Sequence, residues 1–218
     1  MIMAGLVHVN GLRVDKPGRL VPLSASITME KGPPYVSRGG LKLEAALKHF
    51  KIDVTGKTLL DVGASTGGFT DCLLQRGAYR IIAVDVGYGQ LDWKLRQDHR
   101  VGVLEKTNIR YLKPGDMEQP FDGAVIDVSF ISLKHVAVPV SRLLKPKAFI
   151  VALIKPQFEA EKGQVGKGGV IRDPELQHQI VERLSVFFKN LKWTVNGQIP
   201  SPNIGPKGNR EFLIYLTR

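Results

Sequence analysis

The stretch Leu59-Leu60-Asp61-Val62-Gly63-Ala64-Ser65-Thr66-Gly67-Gly68-Phe69-Thr70 decides how the rest of the chain reads. Residues 58–62 are a short apolar run that ends beside an acid, as a buried strand does. A glycine-rich turn follows, and a helical pattern runs from Gly67 to Arg76. A strand that stops at such a turn and passes into a helix lets a ligand approach the backbone and aims helix N–H groups at it. A second apolar run, Arg80-Ile81-Ile82-Ala83-Val84-Asp85, ends on another acid 17 residues after Gly68. A carboxylate at the end of a second strand can accept hydrogen bonds from a ribose diol. The plain alternative is a glycine turn closing a tight corner, with Asp85 a solvated strand end; it leaves the acid–loop–acid pattern without a purpose.

Dinucleotide and methyl-donor sites both use this geometry. The spacing G-x-x-x-G-G is not the G-x-G-x-x-G of nicotinamide binders, and no Gly-Lys-Ser/Thr follows as in a P-loop. Outward from the loop the rhythm continues. Leu41, Ala45, Ala46 and Phe50 recur at helical spacing after Ser37-Arg38-Gly39-Gly40. Strands are expected at 101–104, 123–127, 149–154, 195–199 and 212–216, and helices at 90–97, 133–144 and 174–190. Apolar strands alternating with helices predict an α/β domain with a mostly parallel sheet covered on both faces.

Residues 1–32 read differently. Leu6 to Val14 alternates around Asn10-Gly11, a strong hairpin signal, and residues 21–29 offer another strand. Three short strands are too little to be stable alone. Gly32-Pro33-Pro34 reads as a linker. The expected organisation is therefore a small module at 1–32 and a main domain at 33–218.

Composition narrows the partners. Among 218 residues, 31 Lys and Arg stand against 20 Asp and Glu, a formal charge of +11, which attracts polyanions. The single cysteine, Cys72, cannot close an intrachain disulfide and suits a reducing cytoplasm, where the chain is expected to work. No signal peptide is visible, and the longest apolar stretch, Ala148 to Ile154, is too short to span a bilayer. The five histidines are scattered, so no metal-ligand spacing appears and no metal is expected.

Four ionisable residues fall where the expected sheet would gather them. Asp127 ends the fourth strand of the main domain and Lys155 the fifth, both at the crevice where open α/β sheets bind ligands. Glu211 opens the last strand and shares that edge if the strand runs antiparallel. Lys42 lies in the helix before the first strand. Two lysines and two carboxylates suit methylation of an alcohol, whose oxygen must lose its proton as it attacks. A desolvated lysine beside a second cation can serve as the base, with the carboxylates positioning it. Two surface ion pairs are the plain alternative. Phe130 and Phe158 follow two of these residues and could stack on a base, though core packing is the favoured role for each. Lys162 to Gly169, glycine-rich and basic, is either a lid or an ordinary loop. Cys72 is expected in the core.

From about Lys57 to Arg218 the chain resembles the class I (Rossmann-like) methyltransferase superfamily. That resemblance implies a seven-stranded, mostly parallel sheet with helices on both faces and one antiparallel strand. It implies S-adenosylmethionine as cofactor, with Gly63 and Gly67 beneath its methionine part, Asp85 on its ribose and Asn108 near its adenine. Asp61, Ser65, Gly68, Phe69 and Asp127 complete the implied cofactor site. The order Lys42, Asp127, Lys155, Glu211 is similar to the FtsJ (RrmJ) group of RNA ribose 2′-O-methyltransferases. A closer match is the TlyA, or hemolysin A, family. It is carried by Tyr35 to Leu43, Asp61 to Thr70, Ile126 to Ser132, Leu153 to Glu159, Gly168 to Pro174 and Gly205 to Phe212. What this implies is 2′-O-methylation of ribosomal RNA, free or in subunits, with cytidine as target and the four residues as catalytic. Residues 3–29 resemble only the C-terminal half of that family's RNA-binding module, which is like that of ribosomal small-subunit protein four.

Two other classes compete. A membrane-active cytolysin, suggested by the hemolysin name, needs an apolar or strongly amphipathic segment that the sequence does not offer. A ribosome-associated RNA-binding protein without catalysis would not need the complete site. Methyltransferases for base nitrogens tend to carry Asn/Asp-Pro-Pro-Tyr/Phe after the fourth strand, where this chain has Asp127-Val128-Ser129-Phe130. The oligomeric state is not legible.

Overall fold

The computed structural model describes residues 1–3, 5–30, 32–161, 163–166 and 168–218. It divides into two units, Met1–Pro34 and Tyr35–Arg218.

The first unit is a small antiparallel sheet of β1 (Val7–Val9), β2 (Leu12–Val14) and β3 (Ile27–Met29) in the order β2-β1-β3. Asn10 and Gly11 have φ of 51° and 79°, so the two-residue turn has the left-handed twist that only such residues adopt cheaply. The Asn10 side chain also accepts from the Ser26 amide at 2.8 Å, which seats β3 beside β1. Of the expected strand at 21–29 only the last three residues pair.

The second unit begins with α1 (Gly39–His49) and continues through β4 (Thr58–Val62), α2 (Gly68–Gln75), β5 (Arg80–Val84), α3 (Trp93–Arg96) and β6 (Val101–Leu104). Then come β7 (Phe121–Ile126), α4 (Leu133–Arg142), β8 (Leu144–Ile154), α5 (Pro156–Glu159), α6 (Pro174–Asn190), β9 (Thr194–Pro200) and β10 (Phe212–Thr217). The seven strands lie in the order β6-β5-β4-β7-β8-β10-β9, and β10 alone runs opposite to the other six. Residues alternate between the two faces, and both faces are buried over β4, most of β7 and the second half of β8. Leu59, Val125, Val151 and Leu153 point into the core beneath α1 and α2, and Leu60, Ala124, Ile126 and Ile150 into the core beneath α4 and α6.

Two elements differ from expectation. β8 starts at Leu144, five residues early, because Leu144 pairs with Phe121 before the register shifts; Lys145, Pro146 and Lys147 disguised that segment as a loop. The helix expected at 90–97 is one turn, started by the Asp92 carboxylate accepting from the Lys94 amide at 2.9 Å.

The strand order places the site. The chain leaves β4 towards β5 and β6, then returns to the other side of β4 as β7. This switch point opens a crevice at the carboxyl ends of β4 and β7. The antiparallel register Phe212↔Ile154 carries Glu211, one residue before β10, to the same edge as Lys155, one residue after β8.

Candidate active site

The loop after β4 is built by close backbone approaches. Gly63 has φ 84°, and a Cβ there would lie 2.5 Å from the Asp127 carbonyl oxygen, so the β4 and β7 loops touch through bare backbone. Gly68 is pressed equally hard on α1, where its Cβ would meet Ser37 Oγ at 2.2 Å and the Gly40 nitrogen at 2.9 Å. Gly67, at φ 93°, faces inward against Leu91 and Leu95 and lines neither cavity described below.

Two acids brace this loop. Asp61 is fully buried; its Oδ2 accepts from Thr70 Oγ1 at 2.6 Å, while Oδ1 has no hydrogen-bond partner among the described residues. Burial pushes its carboxyl up to about 7, against the Thr70 hydrogen bond, and the nearby Asp127 and Asp85 charges add to the rise. Asp85 accepts from two backbone amides, Ser65 at 2.8 Å and Gly87 at 2.7 Å, and so ties the loop to the end of β5. Ser65 is exposed at φ 49°. Asn108 caps the turn after β6 by accepting from the Arg110 amide at 3.1 Å.

Gly63, Ser65, Asp85, Asn108 and Asp127 line one cavity of about 550 Å³. A second cavity, of about 280 Å³, is lined by Lys42, Asp127, Lys155 and Glu211, together with Ser37, Arg38, Gly63, Gly68 and Phe69. The two share Gly63, Ser65, Asp127 and Ser129 as a common wall.

The four ionisable residues meet here as two pairs. Lys155 Nζ lies 2.5 Å from Asp127 Oδ1 and donates to Ser129 Oγ at 2.8 Å. Lys42 Nζ lies 2.5 Å from Glu211 Oε2. Asp127 alone of the two carboxylates holds Lys155; Glu211 serves Lys42. Lys155 and Glu211 are 9% and 2% exposed, so neither pair is the solvated surface bridge that contributes little. Ser129 was not singled out by sequence reasoning, although it stands two residues after Asp127; a serine gives no periodic or charge signal.

Phe130 corrects the expected core role. It is 90% exposed, at φ 64°, with its ring 5.0 Å from that of the partly buried Phe158. Cys72 is buried among core residues, and burial pushes its thiol up to about 12. The segment 162–169 includes Lys162 and Lys167, which lie outside the described residues. Among the described residues no cluster of three or more His, Cys, Asp or Glu could hold a metal ion, and no helix is long and apolar enough to cross a membrane.

A switch-point crevice, a strand–glycine loop–helix turn and the carboxylates of Asp61 and Asp85 on β4 and just after β5 are what an α/β fold for nucleotide-like donors presents, and methyltransferases share it. A solved protein from Listeria monocytogenes that carries the name of an S-adenosylmethionine-dependent methyltransferase shares that fold, at TM-score 0.59 and 17% identity over 84% of this chain and 99% of its own. The family model for FtsJ-like methyltransferases matches residues 35–218, and the chain belongs to that family of enzymes. It is 46% identical over 218 residues to the 16S/23S rRNA (cytidine-2'-O)-methyltransferase TlyA of Mycobacterium tuberculosis, covering 99% of this chain and 81% of that protein. A solved protein from Streptococcus thermophilus that carries a hemolysin name superposes at TM-score 0.84 with 44% identity, over all of this chain and 80% of its own.

Proposed function

We propose that the enzyme transfers the methyl group of S-adenosylmethionine to a ribose 2′-hydroxyl of ribosomal RNA, with cytidine as the target nucleotide and the cytoplasm as its place of work. The observation that carries this reading is the Lys155 amine, gripped by Asp127 and Ser129 on the wall common to both cavities. The residues present fit the donor. The larger cavity suits a small cofactor, and Gly63 on its wall is stripped of any side chain. Asp85 would hold the donor's ribose, Asn108 its adenine, and Gly63 to Phe69 its methionine part; Gly67 acts from behind by shaping the turn. When bound, the donor supplies an electrophilic methyl group on a sulfonium.

The chain's own residues do the rest. In its neutral form Lys155 accepts the proton that the ribose hydroxyl loses as its oxygen forms the new bond to carbon. Asp127 holds the amine in place and balances the charge it acquires, in a site dry enough for that attraction to matter. Lys42, steadied by Glu211, presents a second cation to the oxygen on which negative charge develops. Phe130 offers an open ring face on which an unstacked base can lie, as single-stranded RNA recognition uses aromatics. The formal +11 charge favours the phosphate backbone.

The test is incubation with labelled donor and either naked rRNA or ribosomal subunits, followed by mass-spectrometric mapping. A 2′-O-methylated cytidine is expected. Calorimetry on the same protein separates the two halves of the reading: donor binding without any labelled RNA would retain the cofactor site and reject the substrate.

A further inference from the structure

The short helix α5 gives the active site a second brace. Pro156 opens it directly after Lys155, and two backbone bonds, Phe158 N to Lys155 O at 2.9 Å and Ala160 N to Pro156 O at 3.0 Å, close its single turn. Lys155, the extended residue just before the turn, and Glu159, its last residue, both reach the loop between β7 and α4. Lys155 takes its near end, at Asp127 and Ser129. Glu159 takes its far end: Oε2 accepts from Ser132 Oγ at 2.6 Å and Oε1 from the Leu133 amide at 2.7 Å, the first amide of α4. Between the two ties the rings of Phe158 and Phe130 are in contact.

The loop needs this. It holds Phe130, a non-glycine residue, at positive φ with its ring almost wholly in solvent, a conformation that persists only where its surroundings impose it. A partly buried carboxylate is also costly unless its oxygens are satisfied. Burial pushes Glu159 above the ordinary carboxylate range, against its hydrogen bonds to Leu133 and Ser132.

We propose that Glu159 is a positioning residue for methyl transfer. It fixes the β7–α4 loop so that Asp127 and Ser129 meet Lys155 and Phe130 faces the substrate. The proposal rests on the RNA-methyltransferase reading for its kinetic test but not for its structural one. Glu159→Ala removes both ties, whereas Glu159→Gln keeps an acceptor for Leu133 and a donor for Ser132. In single-turnover assays on rRNA at saturating donor, Glu159→Ala should lower the rate about 10–100-fold, the scale of a misplacement near 1 Å. Glu159→Gln should stay within about threefold of the parent rate. Amide hydrogen exchange in residues 128–133 should quicken in Glu159→Ala and not in Glu159→Gln, whether or not rRNA is the substrate. Ser132→Ala, which cuts one tie from the other side, should give a smaller change of the same kind and serves if Glu159→Ala does not fold. Unchanged exchange in Glu159→Ala, or in Ser132→Ala where it must serve, would overturn the proposal. So would equal losses of rate in the Ala and Gln variants.

Discussion

Replacing Gly63 by alanine tests the idea that bare backbone contact builds the site. Two costs can be separated. The first is conformational: φ 84° is left-handed, and an L side chain there costs about 1–2 kcal/mol. The second is steric: the new Cβ would sit 2.5 Å from the Asp127 carbonyl oxygen and 2.9 Å from its carbon. Neither loop can step aside cheaply. The Gly63 amide is bonded to Val84 O and the Asp127 amide to Val62 O, each at 2.9 Å. Forcing them apart is an overpacking change of about 1–3 kcal/mol, so the total is about 2–5 kcal/mol of stability. Gly56 supplies the control. It has φ 70° and nothing within 4 Å of a Cβ, so Gly56→Ala should show the first cost alone. Urea unfolding of both variants gives the difference. Asparagine tolerates left-handed backbone, so Gly56→Asn should be nearly neutral, whereas Gly63→Asn should keep the steric cost. The displaced Asp127 should also slow methyl transfer about 100-fold in Gly63→Ala. Equal stability losses at Gly63 and Gly56, or a Gly63→Ala enzyme with the parent rate, would refute the reasoning.

Three other outcomes are expected. Lys155→Met should lower the single-turnover rate about 10²–10⁴-fold with donor affinity intact, and Lys155→Arg should not restore it because a guanidinium stays protonated; an active arginine variant would make Lys155 an electrostatic anchor and move the base to Asp127. Asp85→Ala should weaken donor binding by about 1.5–3 kcal/mol per lost charge-assisted bond, read by calorimetry, with an unchanged Kd removing Asp85 from the site. Asp61 is held near 7 in the fold, above its unfolded value of about 4, so the folded state binds its proton more tightly. Its contribution to stability is full below about pH 4 and is lost as pH rises through 7; Asp61→Asn should flatten that stretch of the stability–pH curve, and parallel curves for the two proteins would contradict the assignment.

The residues themselves determined a good deal. Short apolar runs bounded by glycine and acids marked β4, β5 and β6 almost to the residue, and β4, buried at every residue, has no polar alternation to confuse it. Asn10-Gly11 announced its hairpin because few other pairs take that turn without strain. The acid–loop–acid pattern was likewise legible, as were the positions of Asp127, Lys155 and Glu211, each next to the end of a strand, while Lys42 lies within α1. Pairing and exposure were not. Lys42 and Glu211 are 169 residues apart, and only the packing of α1 beside the antiparallel β10 makes them partners and leaves Asp127 to Lys155. Phe130 has the composition of a core residue, yet the ties that Lys155 and Glu159 make to its loop turn it out to solvent. Local sequence sets periodicity and turn chemistry because those depend on neighbours in the chain; which charge meets which, and which aromatic stays bare, depends on elements that meet only once the sheet has closed its order.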